Sequence, residues 1–271
     1  MFDRIFSPRK INLPNGKAVL QKRSRTPFVL LILVICTIAS IQFTDFKMDI
    51  LAQRIGQFFV IIGDMIPPNW GSFPGILGPL LDTLKMSLLG SMIGALLALP
   101  AAVLASSNIV HNKVVVVISK TVLSLLRTLP TLVTALIATF IFGLGPMAGT
   151  VAIMLFTLSY VGKLLYEQIE NVDMGSFEAM ESLGMTRIQA FRYATLPQVL
   201  PGYLSTSLFC FEGNVRYAAI LGYVGAGGIG LLINENLGWR DYSGVGMIIL
   251  ALIVTVYLIE AVSEHFRKKL I

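Results

Sequence analysis

Charge is scarce in this chain, and so are the residues that chemistry most often needs. Only 13% of the 271 residues are Asp, Glu, Lys or Arg, while 55% are hydrophobic. That balance excludes an ordinary water-soluble domain and indicates an integral membrane protein. Only two cysteines are present, Cys36 and Cys210, far apart in apolar surroundings, which excludes a disulfide framework. His111 sits in a short polar turn with no second ligand at metal-binding spacing, so no metal site is expected. There is no His-Glu-x-x-His, no Gly-x-Ser-x-Gly and no pair of intramembrane carboxylates, so no catalytic residue is assigned and an intramembrane lipid enzyme is disfavoured. Nor is there a Gly-x-x-x-x-Gly-Lys-Ser/Thr loop to hold a nucleotide phosphate. Inverted repeats, which would favour a self-sufficient secondary transporter, are not visible. The net charge of +6 gathers at the two ends instead of along a stripe, which speaks for membrane topology and against nucleic acid.

What remains is a series of apolar runs. Residues 1–26 carry seven Lys or Arg against the single acid Asp3 and read as a cytosolic basic tail. Residues 27–43 make a first span, with its N-terminus held inside by those charges, and residues 44–79 read as an external interfacial segment with the helical stripe Ile55, Phe58, Phe59, Ile62 and Trp70 at headgroup level. A second span is expected from Leu84 to Ala105, rich in small residues that let helices approach. Residues 114–142 are too long for one straight span and should break or tilt at Arg127-Thr128-Leu129-Pro130. Lys120 and Arg127, seven residues apart, share a helical face and either line a cavity or snorkel. Further spans are expected over 147–166, 201–221 and 244–262, with an external or re-entrant stretch over 222–243 and a basic cytosolic end at 266–271. The chain is thus an all-α polytopic membrane protein of about six transmembrane helices, divided into 1–26, 27–83, a core at 84–265 and 266–271.

One polar island interrupts this pattern at about 167–198. Ser176 is placed to cap a short helix with Glu178 in its first turn, and Gly184 to end it in a left-handed conformation. Thr186 and Gln189 have capping-box spacing for a second helix, which should stop before Pro197 with Leu196 extended. Phe177, Met180 and Leu183 share a face that either enters another protein's groove or packs under the membrane domain.

The second unusual stretch is Phe211-Glu212-Gly213-Asn214-Val215-Arg216-Tyr217. Glu212 and Arg216 stand in the favourable order for a helical ion pair; alternatively Arg216 and Asn214 line a path, where a guanidinium fork and amide donors suit an oxyanion. Gly225, Gly227 and Gly230 spell Gly-x-Gly-x-x-Gly, but the preceding membrane span and the absence of a βαβ unit exclude a dinucleotide site.

The island, with Glu178-Ala179-Met180, Gly184 and Leu196-Pro197, resembles the coupling motif of ABC importer permeases, with Met180 and Ala194 as departures from it. Phe211-Glu212-x-Asn214-Val215-Arg216, followed by Gly222-x-Val224-Gly225-Ala226-Gly227-Gly228-Ile229-Gly230, is similar to the membrane subunit of phosphonate ABC importers. The likeness runs from about Leu84 to the C-terminus. It implies a homodimeric pore in a prokaryotic cell membrane, two ATP-binding subunits that hold ATP and Mg beneath it, and an external solute-binding protein, with no cofactor on this chain itself. It also implies that Glu178, Ala179, Met180, Leu183, Gly184 and Pro197 carry coupling. Asn214, Arg216 and Arg127 would meet the substrate, and Gly222, Gly225, Gly227, Gly228 and Gly230 would shape a gate. Phosphonate, phosphite and phosphate all fit this resemblance; a permease of the same architecture for methionine is the alternative.

Overall fold

The computed structural model describes residues 9–12, 18–21 and 26–270. Most of the basic tail expected at 1–26 lies outside these residues; the described parts form a small antiparallel ribbon, β1 (Arg9–Asn12) and β2 (Ala18–Gln21), with Arg9 opposite Gln21. The remaining elements among the described residues are helices joined by short turns. The chain forms two compact units, residues 1–60 and 61–271. In the first, α1 (Thr26–Phe43) buries none of its residues. A helix that is apolar all round suits surrounding hydrocarbon. Helix α2 (Met48–Asp64) also buries nothing, and its Ile55, Phe58, Phe59 and Ile62 stripe stands uncovered.

The second unit is a bundle. A short 3-10 turn at Trp70–Ser72 leads directly into α3 (Phe73–Ala105), so the second span begins well before Leu84. Pro74 and Pro79 account for this. The first lies in the opening turn, where no N–H bond is lost, and lipid-embedded helices accommodate an internal proline such as the second. Helix α4 (Lys113–Thr128) starts at Asn112, whose side chain accepts from the Val114 amide at 3.0 Å. It ends as expected before Pro130, which holds Leu129 extended (φ −76°, ψ 121°), and α5 (Thr131–Phe142) leaves at 92°. Helix α6 (Pro146–Glu170) follows, then the polar loop with α7 (Gly175–Ser182) and α8 (Arg187–Ala190). Helices α9 (Leu196–Leu221), α10 (Ile229–Trp239) and α11 (Tyr242–Leu270) complete the chain, the pair α9 and α10 bending by 52°. Four helices are long and apolar enough to cross a membrane, and counting each bent pair as one span brings the number to six among the described residues.

The bundle centres on α3 against α6. Without a hydrophobic driving force between helices in lipid, close backbone approach and van der Waals contact must hold them. Gly90 and Gly94 provide that approach. A Cβ on Gly90 would lie 2.8 Å from the Thr150 carbonyl oxygen, and one on Gly94 2.6 Å from that of Met154. Ser87, Ser91, Ala95, Ala98, Ala102 and Ala105 continue the same buried face at three- and four-residue intervals.

Candidate functional site

The polar loop keeps the helix, glycine joint, helix plan, with two corrections. Ser176 does not cap α7, which begins at Gly175 after Met174 with no side-chain cap; just before it the Asp173 Oδ1 accepts from the Gly175 amide at 3.0 Å in an Asx turn. Leu196 is helical (φ −57°, ψ −43°), not extended, because α8 runs through a π turn, Phe191–Thr195, into α9. Pro197 then falls in the first turn of α9, where its fixed φ and missing N–H are tolerated. Gly184 does take the left-handed conformation (φ +87°), and the Thr186–Gln189 capping box forms.

The Phe177, Met180, Leu183 face divides: Phe177 and Met180 pack under the membrane domain, while Leu183 is exposed. Phe177 is 2% exposed, in a core with Ala105, Ile109, Leu165, Ile169 and Ala190, and Met180 packs against that core. Leu183 is 78% exposed and Ile188 is 81% exposed, flanking Gly184 with Glu178 and Ala179 beside them. Three residues of advance turn a helix by about 300°, so the face drifts from core to solvent along α7. The loop is tied to the turn at 106–112. Arg187 donates to the Ile109 carbonyl (2.7 Å) and pairs with Glu181 (3.0 Å), while Asn108 donates to the Ile169 carbonyl (2.7 Å). Glu170 accepts from the Ser107 amide (2.8 Å) and hydroxyl (2.6 Å) and pairs with Lys120 (2.8 Å). None of these long-range partners had a local signal in the sequence.

At the other end of α9 the glycine run is packed tightly. A Cβ on Gly222 would lie 2.3 Å from the Gly230 carbonyl carbon, and one on Gly230 would lie 1.9 Å from the Ala219 oxygen. Gly225, Gly227 and Gly228 have φ of +78°, +77° and +74°. The Gly225 carbonyl accepts from Gly145 (2.9 Å), and Thr83 of α3 accepts from the Ile229 amide (2.8 Å). The five glycines thus form one closed turn, sealed against residues 143–146 and α3.

Between these two ends lies a cavity of about 390 Å³, lined by Phe156 and Tyr160 of α6 and by Phe209, Gly213, Arg216 and Tyr217 of α9. Arg216 reaches it with its side chain 51% exposed, and Glu212, 5% exposed, pairs with Arg216 from one turn below. The helical ion pair forms, and the paired Arg216 also lines the cavity. Arg127 stands over the Tyr160 ring at 6.0 Å, so Tyr160 links the two arginines. Asn214 does not join them. It is 1% exposed and donates to Ser91 and Thr157, each at 2.8 Å, stitching α9 to α3 and α6. Residues two apart on a helix point about 200° apart, so Asn214 and Arg216 cannot line one surface. The aromatic wall was missed, although Phe209, Gly213, Arg216, Tyr217 and Ile220 show the spacing of one helical face.

Residues 90–271 match the family described as binding-protein-dependent transport system inner membrane component. The chain belongs to that family: it is a multi-pass inner-membrane permease component of an ABC transporter. It is 33% identical over 218 residues, 80% of this chain and 79% of the relative, to the phosphite transport system permease protein PtxC of Stutzerimonas stutzeri. It is 32% identical over 208 residues to the phosphate-import permease protein PhnE of Mycolicibacterium smegmatis, covering 76% of this chain but 39% of that one. Among solved structures, an inward-facing MetNI methionine ABC transporter chain shares the fold, with a TM-score of 0.67 at 22% identity over 75% of this chain and 99% of the other.

Proposed function

We propose that this chain is the permease subunit of an importer for a phosphorus oxyanion, phosphite, phosphate or a phosphonate. The observation that carries this reading is the 33% identity over four-fifths of the chain to a phosphite permease protein. The site supports it. Arg216 offers a guanidinium to a cavity whose other walls are mostly aromatic, and a fork of charge-assisted donors suits tetrahedral oxyanions. Methionine, the other reading, carries less, with a sequence match of 28% over only 49% of this chain and a likeness of fold at 22% identity.

In this mechanism two copies of the chain form the pore, with both termini in the cytosol. Two ATP-binding subunits, holding ATP and Mg, dock against the loop presented by Glu178, Ala179, Leu183, Gly184 and Ile188, while Met180 and Pro197 anchor it. Their closure is transmitted through Phe177 and the Arg187–Ile109 tie to the bundle. A binding protein delivers the anion at the opposite face, where the turn from Gly222 to Gly230 forms the outer closure. Arg216 attracts the anion into the path, with Arg127 farther along.

The test is uptake of labelled phosphite, phosphate, phosphonate and methionine by cells carrying the complete transporter, wild type against Arg216→Ala, at matched membrane abundance. Oxyanion uptake that falls at least tenfold in the variant supports the reading. Uptake of methionine alone would replace the substrate class.

A further inference from the structure

Glu212 has a second cationic neighbour that the helical pair does not account for. Its Oε1 pairs with Arg216, while its Oε2 is buried without a hydrogen-bond partner and lies 3.6 Å from the guanidinium of Arg267, near the end of α11. Arg267 is itself incompletely satisfied. Its Nε is buried and unpartnered, and its guanidinium stands 5.7 Å from the ring centre of Phe209, which lines the cavity. The two arginines therefore differ in role. Arg216 is half exposed to the cavity, whereas the Arg267 side chain is 26% exposed and sits 3.6 Å from the carboxylate it is aimed at.

An anion that takes the Arg216 guanidinium must displace Glu212 from it. A buried carboxylate stripped of its close counter-ion is strongly unfavourable, so displacement needs a second cation within reach to take over. Arg267 is that cation, and its unpartnered Nε and the unpartnered Oε2 are the atoms that would close a two-pronged contact.

We propose that Glu212 is a shared counter-ion that moves from Arg216 to Arg267 when an oxyanion occupies the path. It is a positioning residue that never touches the substrate. The exchange keeps the permease site weak in a controlled way, since the returning carboxylate competes the anion off Arg216 and so promotes release. It also links occupancy of the cavity to α11, which otherwise contributes nothing to the site. The inference rests on the reading that Arg216 meets the anion.

The test uses the reconstituted transporter with its ATP-binding subunits and binding protein in proteoliposomes, with phosphite as the probe. Turnover is measured at saturating binding protein, and inhibition by phosphite on the product side reports permease affinity apart from the binding protein. Glu212→Gln frees Arg216, so the half-inhibitory concentration should fall about tenfold while turnover also falls. Arg267→Gln removes the replacement cation, so that concentration should rise about tenfold, and Arg267→Lys should restore most of the loss. Opposite shifts from Glu212→Gln and Arg267→Gln, with rescue by lysine, support the exchange. An Arg267→Gln transporter with wild-type inhibition overturns it, as does a shift in the same direction for both variants. If Glu212→Gln does not accumulate in the membrane, the Arg267 pair decides alone. Arg216→Ala separates the two ideas: undiminished phosphite uptake in that variant sinks the path assignment itself.

Discussion

Gly184 and Gly230 both end or begin a helix at a joint, yet they are glycine for opposite reasons. A Cβ on Gly184 would meet nothing within 4 Å, and its backbone has φ +87°. A Cβ on Gly230 would meet the Ala219 oxygen at 1.9 Å, and its backbone is ordinary helix. One position needs freedom of backbone sign in open space; the other needs the absence of volume. Both joints have exposed apolar neighbours, Leu183 and Ile188 at the first and Tyr223 and Leu231 at the second, but the backbone of the Gly230 turn is closed by its own chain. Open space and filled space are distinguished here by where the glycine's missing atom would go.

The contrast is easiest to break at its tight end. Gly230→Ala should abolish accumulation of the protein in the membrane, since even one methyl in a filled space costs about 1–3 kcal/mol and here the neighbour is backbone; immunoblotting of membranes checks it. The open end should respond through a partner instead. Leu183→Asp with Ile188→Asp should leave membrane abundance near wild type while co-purification of the ATP-binding subunit is lost, because truncating exposed apolar anchors commonly costs about 2 kcal/mol or more of binding. Gly184→Val should lower thermal stability by only about 1–2 kcal/mol, the strain of a left-handed side-chain residue, yet reduce uptake per ATP hydrolysed.

Asn214→Ala tests the bundle between the two joints. Losing the bonds to Ser91 and Thr157 should cost about 1 kcal/mol in detergent melting, with substrate selectivity unchanged, as expected for a stitch and not a path residue. The smallest effect should come from Asp241, whose carboxyl is held below its ordinary value by the Gly244 amide and then the Ser243 hydroxyl. Its folded value lies below its unfolded one, so its contribution is fully present above about pH 4 and is lost as pH falls through the folded value. An acid melting series should therefore show a slightly shallower loss for Asp241→Asn, which has no such contribution to lose.

Local signals were legible wherever the physics is local. The break at Leu129-Pro130, the capping box at Thr186 and Gln189, the left-handed Gly184 and the Glu212–Arg216 pair all depend on residues within four positions of one another, and each is present. The misreadings arose where a neighbour outside the window decided. The cap expected at Ser176 is absent, with an Asx turn at Asp173 preceding the helix instead, and the π turn carried the helix through Leu196 and Pro197. Asn214 was grouped with Arg216 by type and proximity, although the helical angle between them already separated their faces.

By itself the sequence determined the membrane class, the spans of alternating apolar and polar chain, and the residue types able to hold an anion, because hydropathy, helical period and backbone sign act over a few residues. Only the tertiary structure decided which half of α7 is core, which glycines are filled space, and that Arg267, 55 positions from Glu212, shares its carboxylate. Those outcomes depend on which helices meet, and in lipid that is set by the shape of small residues packed across the whole bundle, not by any short run of the chain.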